Sequence, residues 1–269
     1  ASTTRTLDST CSGHRHCDRG HPQHDHRDDA QLMGTVVQDQ SSSFDTGISS
    51  SWAIAFGSNI TAANLIYVWG GSNGDALGTI PTDTLSHTYT LIRHTYDATN
   101  DQSHSTWYAK NTSAGANTVT LAASYHGGNA RMGVLEISGL DTTTPLDGTV
   151  EVGAVDTTTN GTDAASGGTL VTGNASDFLV CAMQNSSEVE PGTLTISAGT
   201  SYTGNTPTGT HVGKMQTRQV SSTGSYAAAF TGNATQRSTI HGVAFKDAAA
   251  GGATQVPKMN YAFQPTVAQ

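Results

Sequence analysis

Two stretches of this chain gather side chains that can bind a metal or move a proton. The first is the front end, where Cys11, His14, His16 and Cys17 are followed by His21, His24 and His26. Zinc takes ligands of these types, but a C-x5-C spacing with histidines inside it matches no finger or ribbon. "HPQHDH" offers loose binding in several geometries, as an affinity tag does. The second stretch is "LIRHTYDATNDQSHSTWYAKN". A hairpin whose turn centres on Asn100 pairs Tyr96 with His104 and His94 with Thr106. That sets His94 and His104 diagonally on one face, with Asp97 and Asp101 in the turn. Two imidazoles and one or two carboxylates are the ingredients of a zinc site with an open position, where water can be activated. A register shifted by one residue sends the two histidines to opposite faces.

Other chemistry is thinner. Ser, His and Asp are numerous enough to compose a serine triad, but no GxSxG elbow occurs. A glycosidase needs two well-placed acids, and glutamate occurs only at Glu136, Glu151, Glu188 and Glu190. Glu136 is the catalytic candidate. An acid inside the apolar strand "VLEIS" either is buried with a hydrogen-bonding partner, the commoner case, or lines a concave face. Trp69, Tyr96, Trp107 and Tyr108 are candidates for a sugar-stacking platform, with core packing as the default for aromatics in strands. Asp75, Asp83, Asp97 and Asp101 offer oxygen ligands for calcium, although no EF-hand or RTX spacing is present. The cofactors these residue types suggest are zinc and calcium.

Such side chains must be held by strands. "SSWAIAF" places Trp52, Ile54 and Phe56 on one face at period two, and "NLIYVWG" is apolar on both faces, as a central sandwich strand is. Gly and Asn-Gly punctuation recurs, and almost no segment supports an amphipathic helix. The second half echoes the first: 64–71 resembles 177–184, 88–93 resembles 193–199, and 115–138 resembles 223–247, which aligns His241 with Met132. Two similar four-strand halves make an all-β, jelly-roll-like antiparallel sandwich. It occupies residues 33–247. Residues 1–32 form a His-rich irregular arm that is foreign to the domain in composition, and 248–269 form a linker and an extended tail. Cys181, in "DFLVCAMQ", reads as a small buried hydrophobe.

Composition narrows the function. Only 12% of residues are charged and the net charge is −9, with lysine at 110, 214, 246 and 258 alone. Such a surface repels phosphate backbones and offers no basic patch for anionic lipid, so nucleic-acid partners are excluded. No apolar run approaches a membrane span. A Thr/Ser/Asn/Gly-rich, lysine-poor chain points to an extracellular or cell-surface setting.

"TAANLIYV", "YAKNTSAGANTVTL", "VLEISGL" and "TPLDGT" resemble motifs of a family of uncharacterised bacterial and phage extracellular domains. There they read TAGNLIVV, YAKN, ANTVT, LEYSGL and PLDG. The resemblance covers about residues 34–247 and departs from the pattern at Ile137, where the family has an aromatic. It implies a secreted β-sandwich of cell-surface or tail-associated proteins and implies no catalytic residues. The expectation is a binding or adhesion module, for carbohydrate or another surface polymer or for assembly. The alternatives are a metal-assisted ester or phosphoester hydrolase, and a virion or filament subunit that forms homo-oligomers through its terminal tails.

Overall fold

The computed structural model describes residues 32–43, 51–75, 79–99, 101–122, 131–159, 164–185, 195–205, 213–232 and 236–249. The cysteine and histidine ligands expected at the front end, and the extended tail, lie outside them. Among the described residues all regular structure is β, and every strand pair is antiparallel.

The first half supplies β1 (Thr35–Ser43), β2 (Ser51–Ala55), β3 (Leu65–Asn73), β4 (Thr82–Asp83), β5 (Thr90–Asp97), β6 (Gln102–Ala109), β7 (Thr118–Ala122) and β8 (Arg131–Ser138). They form a large sheet in the order β1-β8-β3-β6-β5 and a small one, β2-β7-β4. The second half supplies β9 (Leu146–Thr159), β10 (Ala164–Thr172), β11 (Asp177–Asn185), β12 (Ile196–Ala198), β13 (Thr203–Gly204), β14 (Gly213–Val220), β15 (Gly224–Gly232) and β16 (Gln236–Lys246). Its sheets, β9-β16-β11-β14-β13 and β10-β15-β12, repeat the first-half order with every strand number raised by eight. This interleaving of early and late strands is jelly-roll topology.

The duplication is therefore larger than the sequence suggests. Each half is a full eight-strand set, not half of one sandwich. The missing strands explain the shortfall. β4 and β13 are two residues long and β12 is three, too short for any periodicity, and β10 reads "AASGGTLVT", with little apolar signal.

Three cores separate four layers. In the first, Trp52, Ile54, Val119 and Leu121 of the small sheet meet Ile66, Val68, Trp107 and Met132 of the large one. In the third, Leu170, Ala228 and Phe230 cover Leu179, Cys181, Met183 and Ile240. The middle core joins the halves: Leu65, Tyr67, Trp69 and Leu135 press on Phe178, Val180, Met215 and Phe245. β3 and β11 are apolar on both faces because each large sheet is buried on both sides. Ile66, Tyr67, Val68 and Trp69 have no measurable exposure, and each such side chain stabilises the fold by about 1.5–3 kcal/mol. Where only one face is covered the pattern alternates: Trp52 and Ile54 are buried, and Ser51, Ala53 and Ala55 are exposed. Cys181 is buried in the third core as expected, and burial pushes its thiol up to about 12.

Face parity also corrects the repeat by one residue. Met132 and Ile240 point to the outer cores, so His241, which faces the middle, matches Gly133 rather than Met132.

Candidate functional site

The β5–β6 hairpin is one residue out of the expected register. Tyr96 pairs with Ser103, Thr95 with His104 and His94 with Ser105, around a turn whose Asp101 adopts the left-handed φ of 53°. His94 and His104 therefore leave the sheet on opposite faces. His94 bonds Asp75 Oδ1 at 2.8 Å and Ser105 Oγ at 2.6 Å, whereas His104 enters the middle core. Asp97 is buried and accepts the Thr99 N–H at 3.1 Å, and Asp101 accepts the Tyr96 hydroxyl at 2.6 Å. The four expected zinc ligands are not gathered, and no group of three or more His, Cys, Asp or Glu suited to a metal occurs among the described residues. The aromatic set is divided in the same way. Trp107 lies in the first core, Trp69 and Tyr108 lie in the middle one, and only Tyr96 is exposed.

Glu136 is fully buried. Its carboxylate accepts the Thr61 N–H at 2.7 Å, the Asn64 amide at 2.6 Å and the Gln38 amide at 2.7 Å. It fastens the β2–β3 loop and β1 to β8 and has no free face for substrate. Glu136→Ala leaves the buried Asn64 amide and the less shielded Thr61 N–H and Gln38 amide without this acceptor, so urea unfolding should show a loss of roughly 3 kcal/mol. A loss under about 1 kcal/mol would contradict the clamp.

At the seam between the halves, His104 of β6 and His241 of β16 stack with ring centroids 4.0 Å apart and planes 8° from parallel. His241 bonds Thr95 Oγ1 at 2.9 Å and Thr106 Oγ1 at 3.3 Å. Trp69 meets His104 edge to face at 5.9 Å. Burial pulls His104 down to about 3; the Thr239 backbone opposes this and His94 adds to it. Burial also pulls His241 well below its ordinary value, helped by the His104, Arg93 and His94 charges. Both rings are neutral at neutral pH. The seam is packed around two neutral stacked rings, with the Arg93 charge close enough to act on His241.

The open chemistry lies at one end of the first sandwich, where three loops meet. Asp83 organises them. Its Oδ1 accepts the Leu85 and His87 N–H groups at 3.1 and 3.0 Å, and its Oδ2 accepts from Tyr89 Oη at 2.8 Å and Asn117 Nδ2 at 3.0 Å. His87 Nδ1 also lies 2.7 Å from Oδ2, and its Nε2 lies 3.0 Å from Ser113 Oγ. Thr112 ties its loop to the β2–β3 loop by bonding the Thr61 and Asn64 carbonyls. Each loop contains one non-glycine residue with positive φ: Ala63 at 65°, Ser86 at 59° and Asn111 at 51°. Such strain is held only where surrounding contacts over-determine the backbone, as they do at functional sites.

Beside this hub an open groove of about 420 Å³ is lined by Phe56, Ser58, Asn59, Thr84, Asn117 and Thr118 among others, none of them charged. Sequence reasoning named Asp83 only as a calcium ligand and missed His87, Ser113 and the groove. The one local signal was the four-residue spacing of Asp and His in "DTLSH". Comparison with protein families, with curated proteins and with solved structures gives no match.

Proposed function

We propose that this chain is an extracellular or cell-surface binding module whose three-loop end holds a neutral carbohydrate. The groove carries the reading. It falls in the size range of small-ligand sites and is lined by hydroxyl and amide side chains, with no charge in its lining. Sugar hydroxyls pair with such groups as donors and acceptors, and the lining offers no cation to balance a phosphate or carboxylate. The low-lysine surface and the resemblance to secreted sandwich domains agree with this setting. The groove replaces the aromatic platform, since Trp69, Trp107 and Tyr108 are committed to packing. Among the described residues no helix is long and apolar enough to cross a membrane.

A glycan array followed by calorimetry tests the proposal. Neutral oligosaccharides should bind, and Asn59→Ala, at an exposed lining position, should weaken binding about tenfold, the worth of one good hydrogen bond. Equal affinity in Asn59→Ala, or no neutral glycan bound, rejects the groove as the site.

A further inference from the structure

A second cleft opens where the two halves meet, and it shares no lining residue with the three-loop groove. Its volume is about 270 Å³, and it is lined by Thr35, Phe178, Thr203, Asn205, Thr217 and Gln219 among others. Asn205 has a satisfied backbone: its N–H donates to the Met215 carbonyl at 2.9 Å, and its own carbonyl accepts Lys214 Nζ at 3.4 Å. Its side-chain amide has no partner among the described residues, although Asn205 is only 9% exposed and its Oδ1 is buried. Gln219 repeats this at one atom. Its Nε2 is engaged by Asp247 Oδ2 and the Val220 carbonyl, while its Oε1 is buried without a partner. An unpaired buried amide costs stability, so each one calls for something that pairs it. Strand parity turns both amides to the same side. Asn205 stands opposite Met215 and Gln219 opposite Phe178, and Met215 and Phe178 belong to the middle core. Arg218, also in the lining, has its guanidinium 4.9 Å from the Tyr226 ring centre and 5.8 Å from that of Tyr202, on the other face of β14. The polar side chains that face the cleft are uncharged.

We infer that this seam cleft is a second binding site, which takes a single sugar ring or a cyclic polyol through Asn205 and Gln219. A hydroxyl can donate to Gln219 Oε1, and a neighbouring hydroxyl can donate to Asn205 Oδ1 while it accepts from Asn205 Nδ2. The Thr203 and Thr217 hydroxyls serve in either sense. A carboxylate or phosphate brings acceptors to two acceptor oxygens, with no cation between them, and an apolar ligand leaves both amides unpaired. The volume lies just below the roughly 300 Å³ at which sites for drug-sized ligands begin, which suits one ring. The site is also held in place. Asp247, which engages Gln219, accepts the Gly34 N–H at 2.8 Å and so fixes the entry to β1 as well. Because β1 supplies Thr35 and Val36 while β13 and β14 supply the amides, a bound ring touches both halves and stabilises their union by mass action. The inference goes beyond the three-loop groove and stands whether or not that groove binds a glycan.

The test uses the isotope-labelled full chain, with methyl α-glucopyranoside, methyl β-galactopyranoside and myo-inositol as probes at millimolar concentration. At least one probe should shift the side-chain amide resonances of Asn205 and Gln219 and raise the thermal transition. Asn205→Leu keeps nearly the same volume without the amide. It should weaken that probe about tenfold or more, the worth of one good hydrogen bond, as read from the Gln219 amide. Without a probe it should unfold no earlier than the wild type, because the amide it removes is unpaired. Absence of any shift at both amides with all three probes, or equal affinity in Asn205→Leu, overturns the inference. So does an earlier transition of Asn205→Leu without a probe, which would mean that the protein already pairs this amide. Loss of glycan binding in Asn59→Ala, with the Asn205 and Gln219 shifts intact, bears only on the groove.

Discussion

Acidification from pH 7 to pH 5 weakens the fold through His104 and His241. Above about pH 6.5 both imidazoles are neutral, folded or unfolded, and cost nothing. Below it the unfolded chain takes up two protons that the folded seam refuses, because burial holds His104 down to about 3 and His241 well below its ordinary value. Each refused proton costs about 1.4 kcal/mol per pH unit, so the pair loses roughly 4 kcal/mol by pH 5, a large share of a typical domain's stability. Asp177 acts in the opposite direction. Burial and then the Asp147 charge raise it to about 7, so its contribution is lost as pH rises through that value and returns as pH falls, which offsets part of the histidine loss. Below the ordinary carboxylate range the lowered Asp83 and Asp141 add further loss.

Urea midpoints at pH 7, 6 and 5 measure the effect. His104→Phe keeps an aromatic ring on His241 but removes one titrating group, so it should remove about half of the histidine contribution to the slope. A His104→Phe variant with the wild-type pH dependence would show that the stacked pair is not the acid-labile element.

Trp69→Ala should destabilise the protein by about 3–5 kcal/mol, the usual cost of truncating a buried tryptophan. The indole is fully buried and spans the seam. A methyl group on Gly133 would stand 2.2 Å from Trp69 Nε1, and one on Gly213 would stand 2.2 Å from its Cη2. Glycine from each half thus makes the slot that the ring fills. The loss is read from the urea midpoint at neutral pH. A loss of under 1 kcal/mol would mean that the halves are not joined through this side chain.

Strands and core residues were legible wherever burial imposed a period. Trp52, Ile54 and Phe56 alternate because one face is covered. β3 and β11 lose alternation because both faces are, which the sequence showed without revealing that a second sandwich was the cover. Glu136 was legible as a buried acid with partners, though not which donors hold it. The site was less legible for two physical reasons. A turn shifted by one residue inverts every side chain after it, and that alone separates His94 from His104. The Asp83–His87–Ser113 contact joins loops 26 residues apart, beyond any local pattern. The interleaved jelly-roll order brings those loops to one end of the sandwich, and only the fold displays it.

The two duplicated jelly rolls stack back to back through the seam, and a double-mutant cycle between Trp69 of the first half and Gly213 of the second tests this most directly. Gly213→Ala should cost about 1–3 kcal/mol in the wild-type chain by overpacking against the indole. In a Trp69→Ala background the methyl group keeps only its approach to the Met183 carbonyl oxygen at 3.1 Å, and most of the cost should disappear, giving a coupling energy of about 1–3 kcal/mol. Additive effects, with Gly213→Ala equally costly in both backgrounds, would mean that the two residues do not touch and that the halves are joined in some other way.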